Sequence, residues 1–127
     1  MKYLCLVYGE EQKLQAMDDR HCLAYDAAIR ASGHFLASEA LQPVQTATTV
    51  RVRDGKVSIT DGPFAETKEQ LAGFYMIEAK DLDEAMRLAS DIPPARVGCI
   101  EIRPVRPIRE AVQARSQPRP AKTQRRE

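Results

Sequence analysis

No long apolar stretch occurs anywhere in the 127 residues. The longest uninterrupted run, Tyr3 to Tyr8, is far short of the roughly 20 residues a membrane-spanning helix needs. No basic start followed by an extended apolar segment precedes it, which argues against a cleaved secretion signal. Charge of one sign is also lacking: the net is +1 at neutral pH, against a chain built chiefly to hold nucleic acid. The three cysteines, Cys5, Cys22 and Cys99, are odd in number and show no C-x-x-C spacing. That argues against a disulfide framework and for a reducing, cytoplasmic setting. The two histidines, His21 and His34, lie in different segments without a dense ligand cluster, so no metal site is expected. A Gly-rich phosphate loop and a nucleophile elbow are both missing, and no cofactor is called for.

The near-neutral total hides an asymmetry. From Pro104 onward there are seven Lys/Arg against two Asp/Glu, a net of +5, which leaves −4 on residues 1–103. Pro104, Pro107, Pro118 and Pro120 punctuate this end, and too few apolar residues accompany them to bury a core. We read a folded domain over residues 1–105 and a basic tail over residues 106–127, a solvated terminus with no aromatic ring to stack on a base.

Within the domain, residues 2–8 form a β-prone run with large apolar groups on both pleats, as a strand buried on two sides does. Residues 11–31 have helical periodicity. Leu14, Met17, His21, Tyr25, Ala28 and Ile29 gather on one face, Leu23 is an exception on the polar side, and Gly33 suits a helix stop. Residues 34–41 read as a second strand closed by Pro43. Residues 47–53 and 56–60 are short strands around Asp54-Gly55, the pair that a type I′ hairpin turn requires. Asp61-Gly62-Pro63-Phe64 is a turn cluster. A further strand spans 73–79, and Asp81 with Glu84 marks a helix start. Pro93-Pro94 stops that helix before a last strand over 97–103.

With the hairpin set aside, the order is strand, helix, strand, strand, helix, strand: an α+β, ferredoxin-like βαββαβ unit with an inserted β-hairpin. Two helices cover only one face of a four-stranded sheet. The opposite face still carries large apolar groups, and leaving several hundred Å² of it wet, at roughly 25 cal/mol per Å², threatens a domain stable by about 5–15 kcal/mol. A second copy packed sheet to sheet removes the difficulty, so a two-fold homodimer is expected.

The stretch TVRVRDGKVSITDGPFAETKEQLAGFYMIEAKDLDEAMRLA, residues 49–89, resembles the YCII-related (YciI-like) proteins, specifically the branch with the Asp-Gly-Pro-Phe (DGPF) motif. The opening MKYLCLVYGEE, the EALQP at 39–43 and the CIEIRPV at 99–105 resemble that branch too. The resemblance implies a dimeric α+β barrel of ferredoxin-like units whose biochemical role is largely unassigned. Relatives in the wider group include lyase-type enzymes acting on small ring compounds. Members of the DGPF branch are often encoded beside extracytoplasmic-function sigma factors, which implies an accessory or regulatory role with a transcription-related partner. The wider group has a His–Asp pair proposed as catalytic, with the His on the first helix. Aligning on Gly33 places Cys22 at that position instead of His21, and one residue turns a helical side chain by about 100°.

Candidate acid–base residues are Asp61, His21 and Glu39. His21 has Asp18 three residues before it and Tyr25 four after, the spacing of an oriented general base and equally of a structural histidine. Asp61 precedes Gly-Pro, where a carboxylate either holds the loop or faces a pocket. Glu39 interrupts an otherwise apolar strand, so it marks a cavity or a wet strand end. Tyr8, Phe64 and Lys68 are the candidates for binding and orienting a small molecule. Glu66, Lys68 and Glu69 form a charged run inside the motif segment, from which one member is expected to face a ligand. Two functions follow: small-molecule binding with cofactor-free lyase or isomerase chemistry, or a non-catalytic accessory protein using the tail.

Overall fold

The structure is a computed structural model that describes residues 1–109. Of the basic tail expected over 106–127, residues 110–127 lie outside the described residues. Six strands and three helices follow the chain. They are β1 (Lys2–Gly9), α1 (Glu11–Gln15), α2 (Asp19–Ala31), β2 (Phe35–Ala40), β3 (Thr48–Arg53), β4 (Lys56–Asp61), β5 (Gln70–Glu78), α3 (Leu82–Ala89) and β6 (Cys99–Pro104). Single 3-10 turns at Val44–Thr46 and Pro93–Arg96 precede β3 and β6. The main sheet has the order β2–β5–β1–β6 with every neighbouring pair antiparallel, the arrangement expected of a ferredoxin-like α+β unit. The hairpin β3–β4 stands as a separate two-stranded sheet. Asp54 at φ 51° and Gly55 at φ 75° supply the two left-handed residues of its turn.

The expected continuous helix over 11–31 is two helices. The chain bends at Ala16–Asp18, where Asp18 is extended and its carboxylate accepts the Arg20 N–H at 2.9 Å as the cap of α2. This restart resets the helical phase. Cys22 and Tyr25 are half-buried and Ile29 buried, at a spacing that lies on one face, while His21 and Ala28 are exposed. The capping signal at α3 holds: Asp81 accepts from the Glu84 N–H at 2.9 Å, and Glu84 reaches back to the Lys80 N–H at 2.8 Å.

Tyr3, Cys5 and Val7 point from β1 toward the helices and form the core with Ile77, Ile29, Ala85, Leu88, Ala89 and Ile92. Tyr25 ties α2 to this layer, meeting Tyr75 edge-on at 5.2 Å and donating to the Leu88 carbonyl at 3.1 Å. On the other sheet face, Leu4 stands between Met76 and Arg103, Leu6 between Phe74 and Glu101, and Tyr8 between Leu71 and Cys99. The central strip Leu4, Leu6, Phe74 and Met76 is half-buried. Its β6 margin is polar, with Arg103 donating to Glu101 at 3.1 Å. The hairpin adds Val50, Val52, Val57 and Ile59, cross-strand partners that are 57–66% exposed.

Candidate functional site

A cleft of about 510 Å³ opens where the end of β1 meets two connections, residues 41–47 and the loop from Gly62 to Glu69. Both connections are fixed by local chemistry. The Leu41 N–H donates to the Ala72 carbonyl at 2.8 Å, and the Val44 N–H donates to the Glu11 carboxylate at 2.6 Å. Thr46 closes its turn on the Pro43 carbonyl with both its N–H, at 2.9 Å, and its hydroxyl, at 2.7 Å. On the opposite wall the Gly62 N–H donates to the Ala47 carbonyl at 2.7 Å, and Thr49 Oγ1 donates to the Gly62 carbonyl at 2.8 Å. Gly62 at φ +112° adopts a backbone that side chains disfavour, which accounts for glycine in the Asp-Gly-Pro-Phe turn. Thr67 Oγ1 donates to the Glu69 carbonyl at 2.6 Å and Gln70 Nε2 to the Thr67 carbonyl at 2.7 Å, which completes the loop.

The walls are mostly apolar, with Tyr8, Leu41, Pro43, Val44, Pro63, Phe64 and Leu71 among them. Gln42, Thr46, Thr67 and Gln70 contribute neutral polar groups, and Glu69 contributes a carboxylate. A mainly greasy concavity with a few convergent polar groups is the usual form of a small-molecule site. Beside it runs a more open groove lined by Tyr8, Thr67, Lys68, Glu69, Cys99 and Glu101, so Tyr8, Thr67 and Glu69 border both spaces. Cys99 Sγ lies 3.7 Å from Glu69 Oε1 in donor geometry. Desolvation, with the neighbouring Glu69 and Glu101 charges, holds that thiol above its usual range, so it stays protonated near neutral pH.

A second cleft, about 380 Å³, lies between α1, α2 and the β2–β5 side of the sheet. Leu14, Met17, Cys22, Ser38, Glu39 and Tyr75 are among its lining residues. Burial, and after it the Asp19 charge, raises the Cys22 thiol pKa. Asp26, also at this cleft, is already engaged by Arg30 at 2.7 Å.

Tyr8 and Phe64, both sequence candidates, therefore meet in the larger cleft, and Lys68 borders the adjoining groove. The three acid–base candidates do not meet within the chain. Glu39 lines the second cleft, Asp61 is exposed at the end of β4 opposite Thr48, and His21 is exposed on α2. Asp18 does not orient His21: its carboxylate takes the Arg20 guanidinium at 2.6–3.1 Å and caps the helix. Those bonds, ahead of the smaller effect of His21, hold its pKa below the ordinary value. Cys22, at the helical position that the family resemblance assigns to histidine, is the neighbour that lines a cleft. The acid facing the larger cleft, Glu69, belongs to the charged run, and nothing in its residue type sets it apart there. Its signal is its place immediately before β5, whose first residues pair with Gly9 and Tyr8. Among the described residues no group of three His, Cys, Asp or Glu could hold a metal ion.

Comparison with known proteins identifies the family. The family model for the YCII-related domain matches residues 1–109. An uncharacterised protein of Rhizobium meliloti (strain 1021) is 38% identical over 114 residues, covering 83% of this chain and 92% of that relative.

Proposed function

We propose, from the premise that the chain belongs to the YCII-related family, that it binds a small molecule in the cleft between Tyr8, Phe64 and Leu71. The observation that carries the reading is Phe64. Its ring is 80% exposed on a loop whose neighbouring backbone groups are tied down by hydrogen bonds, and it forms one wall of a concave, mostly apolar space. Covering such a ring is worth about 1.5–3 kcal/mol, which a ligand body entering the cleft would gain. Binding is the function this geometry favours over acid–base turnover by Asp61, His21 and Glu39, which lie apart in the protomer. The loop's Asp-Gly-Pro-Phe sequence further supports placing the chain in the branch named for that motif.

A homodimer belongs to the same proposal. Leu4, Leu6, Phe74 and Met76 on the helix-free sheet face, with the exposed hairpin residues, are apolar surface that a second copy would cover. Free Cys5, Cys22 and Cys99 and the lack, among the described residues, of a helix able to cross a membrane are compatible with a reducing cytoplasm.

Saturation-transfer NMR of the full chain with a set of small aromatic compounds tests the binding site. Phe64→Ala removes a ring that the fold scarcely uses, so its thermal midpoint stays within about 2 °C of wild type. Compounds that bind wild type should bind this variant at least about fivefold more weakly. Unchanged affinity would remove the cleft from the account.

A further inference from the structure

We infer that the ligand of this cleft carries a positive charge, an ammonium or similar organic cation, on a compact aromatic or alicyclic body. The inference rests on reading the cleft as a binding site and specifies what enters it. Glu69 is the one charged side chain on the cleft wall among the described residues, and it is half-buried there. Its carboxylate has no ion-pair partner among the described residues, and its hydrogen-bond donor is the weak Cys99 thiol at 3.7 Å.

The nearby cations do not neutralise it. Lys68 Nζ is 4.0 Å from Glu10, Arg51 reaches the Phe64 carbonyl at 3.5 Å, and Arg103 is held by Glu101 at 3.1 Å. Glu101 borders the adjoining groove with its charge taken up by Arg103, so Glu69 is the carboxylate left without an ion-pair partner there. A carboxylate or phosphate ligand in the cleft would leave Glu69 facing a like charge. An ammonium group instead gives Glu69 the strong, charge-assisted donor it lacks. Tyr8 and Phe64 suit the same ligand, because an aromatic face attracts a cation while its body takes up apolar surface.

Three probes of nearly one shape separate the possibilities: benzylammonium, benzyl alcohol and benzoate, titrated into the full chain at pH 7 and followed by backbone amide shifts of Tyr8, Thr67 and Leu71. Benzylammonium should bind about tenfold more tightly than the alcohol, and benzoate more weakly than either. Glu69→Gln should bring benzylammonium and benzyl alcohol within about twofold of each other. If the alcohol and benzoate bind as well as the cation, the charge assignment fails while the binding site stands. If the cation preference survives Glu69→Gln, Glu69 is not its source and the inference is overturned. If no probe moves these amides, the cleft reading fails and this inference with it. Should Glu69→Gln not fold, wild type decides alone: raising NaCl from about 20 to about 500 mM should shrink the cation preference, and no change would overturn it.

Discussion

Gly98→Ala should damage stability and the cleft together, because residue 98 touches the strand that carries Tyr8. Gly98 follows the Pro93–Arg96 turn, with its N–H donating to the Pro94 carbonyl at 2.8 Å. A Cβ at this position would overlap the Tyr8 carbonyl oxygen outright and stand 2.9 Å from Gly9 Cα and 3.0 Å from the Tyr8 carbonyl carbon. These are backbone atoms at the end of β1, the strand bonded to β5 on one side and β6 on the other. No flexible side chain can yield, so strand and turn must separate by about an ångström. Overpacking costs about 1–3 kcal/mol, and a rigid backbone neighbour puts this case near 3. For a domain of this size that is a fall of about 10–20 °C in thermal midpoint. Urea unfolding of Gly98→Ala and Gly55→Ala makes the comparison. A methyl group at residue 55 would meet nothing within 4 Å, but the backbone there sits at φ +75°, so its loss should be nearer 1 kcal/mol. Probe binding at Tyr8 should weaken in the first variant only. A Gly98→Ala protein within about 0.5 kcal/mol of wild type would refute the close-approach reasoning.

Burial raises the Cys5 thiol from 9.0 to about 11. The unfolded chain then loses this proton before the folded one does, so stability is full below about pH 9 and falls as pH rises toward 11, by about 2 kcal/mol. Urea midpoints across that range should show the decline, and Cys5→Ala should flatten part of it. Ile59, 66% exposed on the hairpin, should be replaceable by Glu with little effect on the protomer. If a two-fold dimer covers it, the loss counts twice and comes to about 3 kcal/mol, a roughly hundredfold weaker association by sedimentation velocity. A wild type that stays monomeric would contradict the dimer, and an Ile59→Glu variant that associates equally well would put the hairpin outside its interface.

Most of the fold was legible because its signals are local. The two-sided apolar pattern of Tyr3 to Tyr8 marks a central strand, Asp54-Gly55 dictates its turn, and Asp81 with Glu84 starts α3. The break at Asp18 was hidden because the apolar period runs across it from Leu14 to Ile29. Only the cap bond shows that the helix restarts and turns His21 outward. The cleft was half legible. Tyr8 and Phe64 declare themselves by type and position, but their meeting depends on where the 41–47 connection folds back. Glu69 and Cys99 lie 30 residues apart, and only the β1–β6 register and the start of β5 bring them to one place. Asp61, His21 and Glu39 stood out because each is ionisable amid apolar neighbours, a pattern that strand ends and helix surfaces share with active sites.

The central claim is that a small molecule occupies the space between Tyr8, Phe64 and Leu71. Amide-shift mapping of the isotope-labelled full chain with benzylammonium tests it most directly. The account expects saturable shifts concentrated at Tyr8, Ala65, Thr67, Gln70 and Leu71, with Cys22 and Ser38 in the other cleft unmoved. Shifts centred on Cys22 and Ser38, or none that saturate, would contradict it.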